Sequence, residues 1–247
     1  KMKIEFNREY ASLANFVEMI PFRFDKEGRS IYKARNEIKV FQEKGYTLNV
    51  KSYRIPIFIN RVIYTFFRKS KAHRAYKYAF ELTKRGFITP TPIAYVSTFK
   101  NCLLYRSFFI SMHTPLEGNM RLFTDGDETL EGKEQLMEDF AKYTAKLHNA
   151  GVLHCDYSPG NILYKKEENG YVFSLIDINR MKFCDVDMRT GCESFCRMQG
   201  TDEFFSKVAS IYAKERGFDE QECVRLFLLY KMKDRRKRNF KQKLRNR

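Results

Sequence analysis

Tryptophan is missing from this 247-residue chain, and histidine, with four residues, is nearly so. The six cysteines (Cys102, Cys155, Cys184, Cys192, Cys196, Cys223) form no C-x-x-C pair and have no histidine partners at zinc-ligand spacing. That spacing argues against zinc and predicts reduced, mostly buried thiols, as in a reducing compartment. Long apolar runs are also lacking: the longest, residues 55–67, is interrupted by Asn60 and Arg61 and is too short to span a bilayer. With no signal-peptide pattern at the start, a cytosolic location is the expectation. Acidic residues are few beside basic ones, 30 against 46, a formal charge of +16. Such an excess favours polyanionic partners. Much of it is local, because residues 231–247 hold ten Lys/Arg and a single acid. A 43% hydrophobic and 31% charged composition is that of a globular protein, long enough for one sizeable core or two small lobes.

Against this background one stretch carries chemistry. His154-Cys155-Asp156-Tyr157-Ser158-Pro159-Gly160-Asn161 reads H-x-D-x-x-x-x-N, and the apolar strand 172–176 then delivers Asp177. Phosphoryl transfer of the kinase type needs this set in this order. The first aspartate orients and accepts the attacking hydroxyl, and the asparagine and second aspartate hold Mg²⁺ against the phosphates. Pro159 fixes φ and Gly160 permits a sharp bend, so the loop joining Asp156 to Asn161 is short and rigid. The polar stretch 165–170 is turn-like and makes 162–164 and 171–176 a hairpin that returns the chain to the loop. His148 and His154 read as scaffold residues.

The string HCDYSPGNILY followed by SLIDINRMKF resembles the bacterial lipopolysaccharide kinases, the Kdo/heptose kinases of inner-core sugars. SPGNIL and the DxNRMxF after the strand carry the likeness, which extends over about residues 31–198. Protein kinases place Phe-Gly after the metal aspartate, where this chain has Ile178-Asn179. The resemblance implies a two-lobed, protein-kinase-like α+β fold: an antiparallel-sheet N-lobe over 1–112, a short helical C-lobe over 113–233, and a basic tail over 234–247. It implies ATP and Mg²⁺ as cofactors and a sugar hydroxyl as acceptor, most specifically Kdo on lipid A. A small RIO-like protein kinase and a non-catalytic kinase-like binding protein are the alternatives. Beyond 183 no A-P-E sequence marks a peptide-docking segment, which argues against a large protein substrate.

Within the N-lobe, residues 1–24 show no decisive period. Strands are expected at 30–35, 37–42, 46–53, 93–97 and 102–112, the last running into an adenine-contacting hinge at 111–115. The third places Lys51 where kinases keep the lysine that binds ATP phosphates. The nucleotide-covering loop is then 33–37, without glycine, so Arg35 and Asn36 are candidate nucleotide contacts and Lys39 a further cation. In the helix expected at 71–85, Lys77 stands where an acid is anticipated. Glu81, one turn later, is the candidate partner of Lys51, with Glu37 the alternative. Helices are also expected at 59–68, 129–150, 192–198, 201–216 and 219–233. The apolar stripe of 59–67 among basic residues is either a packed helix or a face for anionic membrane. The basic tail suits a peripheral position on the inner face of the inner membrane. It holds only Phe240 as an aromatic, so nucleic acid is the poorer partner.

Overall fold

Two faces of one antiparallel sheet organise the first part of the chain. The computed structural model describes residues 1–114, 118–123 and 132–245. It divides into two units, Lys1–Pro115 and Leu116–Arg247. In the first, β1 (Met2–Phe6), β2 (Arg29–Lys33), β3 (Glu37–Glu43), β4 (Tyr46–Tyr53), β5 (Pro92–Lys100) and β6 (Leu103–Met112) lie in the order β1-β5-β6-β4-β3-β2. Side chains alternate across a strand, and β4 shows the consequence. Leu48 and Val50 enter a core with Phe41, Ala94, Val96, Phe108 and Ile110, while Tyr53 enters a second cluster on the other face.

Each face has its own helix. α1 (Ala14–Arg23) covers the first with Phe16, Val17 and Ile20, followed by Phe24. Residues 1–24, unreadable in the sequence, therefore supply an edge strand and the cover of one sheet face. α2 (Phe58–Val62) is short, and α3 (Lys71–Lys84) lays Ala72 and Tyr76 against Tyr53 and Tyr95 on the second face. The helix expected at 59–68 does not continue past α2. It becomes a π turn, Ile63–Phe67, closed by the Arg68 N–H donating to Ile63 O at 2.8 Å. Thr65 Oγ1 donates to Arg61 O at 2.7 Å and accepts from the Leu104 N–H at 2.9 Å, diverting the backbone from a regular ladder. Ile57, Phe58, Ile59, Phe66 and Phe67 are left exposed.

In the second unit α4 (Lys133–Asn149) buries Leu136, Phe140, Thr144, Leu147 and His148. Residues 129–131 of the helix expected there lie outside the described residues, as does position 115 of the expected hinge. β7 (Gly118–Asn119), β9 (Ile162–Glu167) and β10 (Gly170–Leu175) form a small sheet, and β8 (Val152–His154) pairs with β11 (Met181–Phe183). The β9–β10 hairpin is longer and more tightly turned than the sequence suggested, with Glu167 opposite Gly170. α5 (Met188–Ser194), α6 (Asp202–Arg216) and α7 (Glu220–Arg245) follow, and 195–197 is a 3-10 turn where a helix over 192–198 was expected. α7 runs without a break past residue 233 into the basic end. Of the six cysteines only Cys192 and Cys223 are buried, with their Sγ atoms 3.5 Å apart; Cys102, Cys155 and Cys184 are exposed, against the expectation of mostly buried thiols.

Candidate active site

The loop after β8 is held by a buried histidine. His154 Nε2 donates to Ile176 O at 3.1 Å, and its Nδ1 accepts from the Asp156 N–H at 3.1 Å. Only a neutral ring can do both. Burial lowers its pKa, against the opposing pull of Ile176 O, Asp177 and Asp156. The ring thus ties the first aspartate to the strand that leads to the second. The backbone repeats the tie, since the Cys155 N–H donates to Arg180 O at 2.8 Å and His154 lies opposite Met181. At the loop's far end the Ile176 N–H donates to Asn161 O at 3.0 Å, and Ile162 pairs with Leu175. The C-terminal unit therefore brings Asp156, Asn161 and Asp177 to one place. Tyr157 anchors the loop from beneath, its hydroxyl 2.7 Å from Thr144 Oγ1. Gly160 leaves room above, because a Cβ there would stand 2.8 Å from the Arg121 guanidinium.

Side-chain orientation within the set follows from these bonds. Asn161 Nδ2 donates to Asp156 O at 2.9 Å, which leaves Oδ1 as the atom it can present to a cation. Asp177 has φ 54° and ψ 40°, a left-handed conformation that costs an L-residue energy and recurs at functional positions. Asn179 Nδ2 donates to Asp177 Oδ1, while Asn179 Oδ1 is itself buried without a hydrogen-bond partner. An amide oxygen and a carboxylate are hard donors that suit Mg²⁺, which takes one or two protein ligands and completes its shell with phosphates and water. Among the described residues no group of three or more His, Cys, Asp or Glu is placed to form an all-protein metal cage. The residues present fit a metal that arrives with its phosphates.

Two arginines that the sequence reading did not single out stand at Asp156. Arg197 Nη1 donates to Oδ1, and Arg180 Nη1 is 3.8 Å from Oδ2. Arg180 lies within the DINRM string and could have been found there. Arg197 comes from the 3-10 turn after α5 and has no local signal.

The remaining candidates belong to the N-terminal unit. Lys51 projects from the α3 side of β4, between Ile38 and Phe109, with its ammonium 5.3 Å from the Tyr53 ring centroid. Glu81 lies on α3, and its carboxylate accepts from Arg85 Nε at 2.8 Å. That arginine, four residues on, reaches Glu81 along the same helix. Lys77, found where an acid was anticipated, has its own partner in Glu5 on β1. Arg35 and Asn36 sit in the β2–β3 turn and line a cleft of about 520 Å³ together with Lys33, Tyr53 and Arg54. Asn36 Oδ1 accepts from the Arg54 N–H at 3.2 Å, so that side chain also ties the turn to the end of β4. Lys39 is engaged elsewhere: its Nζ donates to Phe24 O at 2.6 Å and to Glu27 O at 3.1 Å, beyond the end of α1.

A sheet unit followed by a helical unit, with an H-x-D-x-x-x-x-N loop and an aspartate just past a strand in the second, defines the kinase-like class. The model of the lipopolysaccharide kinase (Kdo/WaaP) family matches residues 29–201, and the chain belongs to that family. No curated relative matches it by sequence. Among solved structures it is similar to WaaP in complex with acyl carrier protein: 16% identity, TM-score 0.66, over 95% of this chain and 98% of that one. It is also similar to the Rio2 kinase in an ADP/Mg²⁺-phosphoaspartate complex from Chaetomium thermophilum: 17% identity, TM-score 0.49, over 88% and 67% of the two chains. The WaaP match shows the fold, an α+β fold of this kinase-like class, and family membership makes the chain a phosphotransferase of lipopolysaccharide sugars.

Proposed function

We propose that the protein transfers the γ-phosphoryl group of ATP, with Mg²⁺, to a hydroxyl of Kdo on lipid A. The observation that carries this reading is the hydrogen-bonded frame that holds Asp156, Asn161 and Asp177 together, in a chain of a sugar-kinase family. Asp156 orients the acceptor hydroxyl and takes its proton as the new bond to phosphorus forms. Asn161 Oδ1 and the Asp177 carboxylate would hold Mg²⁺, which would supply charge neutralisation at the phosphates. Lys51 binds the α- and β-phosphates. Arg35 and Asn36 cover the nucleotide from the β2–β3 turn, and Glu81, which meets Arg85 through Oε1, serves Lys51 through its other carboxylate oxygen. Positioning and charge neutralisation supply most of the rate.

A lipid-linked acceptor lies at a membrane, and no helix among the described residues is long and apolar enough to cross one. Peripheral docking on the inner face of the inner membrane answers that need. The basic end of α7 and the exposed apolar residues 57–67, flanked by Arg54, Arg68 and Lys69, are its means. Incubating the protein with ATP labelled at the γ-position and purified lipid A–Kdo tests the reading. A lipid product heavier by one phosphate is expected. Label appearing in added protein and none in the lipid would replace the sugar reading by the protein-kinase one.

A further inference from the structure

We propose that Arg180 and Arg197 form an anion subsite beside Asp156, which receives an acidic group of the acceptor and selects acidic sugars over neutral ones. The inference rests on reading Asp156 as the carboxylate that orients the acceptor hydroxyl. Two guanidiniums converge on this one carboxylate from separate segments, Arg180 from the turn after Asp177 and Arg197 from the turn after α5. A structural ion pair needs only one of them. Arg180 and Arg197 are 44% and 48% exposed and Asp156 27%, so the cluster opens to solvent and is not a buried strut.

The spare hydrogen-bonding capacity is large. A guanidinium carries five N–H donors in a planar fork that matches carboxylate or phosphate oxygens. Among the described residues the side chain of Arg197 has Asp156 as its one partner, and Arg180 meets Asp156 only at 3.8 Å. Lys182, exposed on β11, adds a third cation felt at the neighbouring Cys155. Three positive charges against the two carboxylates Asp156 and Asp177 leave an excess beside the position where the hydroxyl must lie. A sugar bearing an acid group near its reactive hydroxyl satisfies both halves of that arrangement. The acid group is either a sugar-acid carboxylate or a phosphate ester already on the acceptor.

Steady-state transfer to three soluble acceptors separates the possibilities: a sugar-acid glycoside, its methyl ester, and a phosphorylated glycoside without a carboxylate. Arg180→Gln and Arg197→Gln are expected to raise KM for the sugar acid about 10–100-fold, the cost of losing a charged hydrogen bond. Whatever change in kcat follows from removing a partner of Asp156 is shared by all acceptors, so the loss in kcat/KM is expected to be about tenfold or more greater for the sugar acid than for its methyl ester. Arg197→Lys should recover part of the loss. The same arginine dependence on the phosphorylated glycoside, with none on the sugar acid, assigns the subsite to a phosphate. Equal use of acid and ester by the wild type overturns the subsite, as do variants that lower kcat/KM by the same factor on all acceptors. The latter result would mean that the arginines serve the transferred phosphoryl group or merely hold Asp156. Failure to phosphorylate any sugar while ATP is still turned over would count against the sugar-kinase reading and remove the subsite with it.

Discussion

The two units solve the problem of an interior differently. In the N-terminal unit the buried polar side chains are hydroxyls of Ser52, Ser70, Thr89, Ser97, Ser107 and Ser111, together with Arg74, and two sheet faces are sealed by apolar and aromatic contacts. In the C-terminal unit the interior holds His148, His154, Asn179, Thr144 and Ser174. Apolar burial is non-directional and tolerates small shifts, whereas an imidazole between two partners fixes angles as well as distances. The unit that must place two carboxylates and an amide at one point is the one with directional groups inside. The lesson is a division of labour, with general cohesion in the sheet and positional precision under the loop.

The sharpest way to test that division is at the loop itself. Asp156→Ala is expected to lower turnover on the order of 10²–10⁴-fold, the range for loss of a positioned acid–base group. The nucleotide, whose phosphates and metal are assigned to other residues, should bind about as well as before. Lys51→Ala should do the reverse and raise the nucleotide Kd first. Isothermal titration with ADP and Mg²⁺, beside turnover assays, separates the two effects. An Asp156→Ala protein with near-normal turnover would end the assignment.

A step smaller, the two interiors can be compared by packing. Gly191 lies against the buried pair formed by Tyr212 OH and His148 Nδ1, which are 2.8 Å apart. A Cβ at 191 would overlap the tyrosine hydroxyl and stand 3.4 Å from the imidazole. Gly191→Ala should therefore cost about 2–4 kcal/mol, from overpacking and a lost buried hydrogen bond. Ser97→Ala, which removes one half of a 3.3 Å hydroxyl pair with Ser70, should cost about 1 kcal/mol. Urea unfolding midpoints measure both, and equal losses would erase the distinction between the interiors.

What was legible follows from how far each signal reaches. The loop, the hairpin and Asp177 are local in sequence, and His154 as a scaffold could be inferred because Asp156 already filled the chemical role. The class of the fold followed from them. Residues 1–24 could not be read because their partners lie far along the chain: Met2 pairs with Thr98, and Phe16 meets Phe41. The breakdown of the helix at 59–68 depended on Thr65 finding the Leu104 N–H, a contact 39 residues away. Lys77 looked misplaced until β1 supplied Glu5, and Glu81, read as the partner of Lys51, also meets Arg85. Arg197 reaches Asp156 across 41 residues with no pattern to announce it. Charged side chains choose partners by tertiary proximity, which periodicity does not encode.

Acid titration offers the gentlest probe of the same contrast. Burial, with Arg216 adding to it, pushes the pKa of His148 down from 6.5 to about 3. Burial also lowers that of His154. Both rings are neutral in the folded protein, whereas in the unfolded chain they protonate near 6.5. Between those values the unfolded state binds more protons, so stability is full above pH 6.5 and is lost as pH falls below it. Each ring contributes a slope of at most about 1.4 kcal/mol per pH unit. In the N-terminal unit burial lowers His73 as well, but that ring is only partly buried, so its share is smaller. Carboxylates such as Asp25 and Asp187, held below their usual range by Arg106 and by the Thr190 N–H, add their own loss only at lower pH. The interval from about 7.5 to 5 therefore isolates the histidines. Unfolding midpoints should drop across it in the wild type and drop less in His148→Gln. Ring resonances of His148 should not titrate above pH 4.5, and a midpoint near 6.5 for that ring would show that the C-terminal interior is open to water.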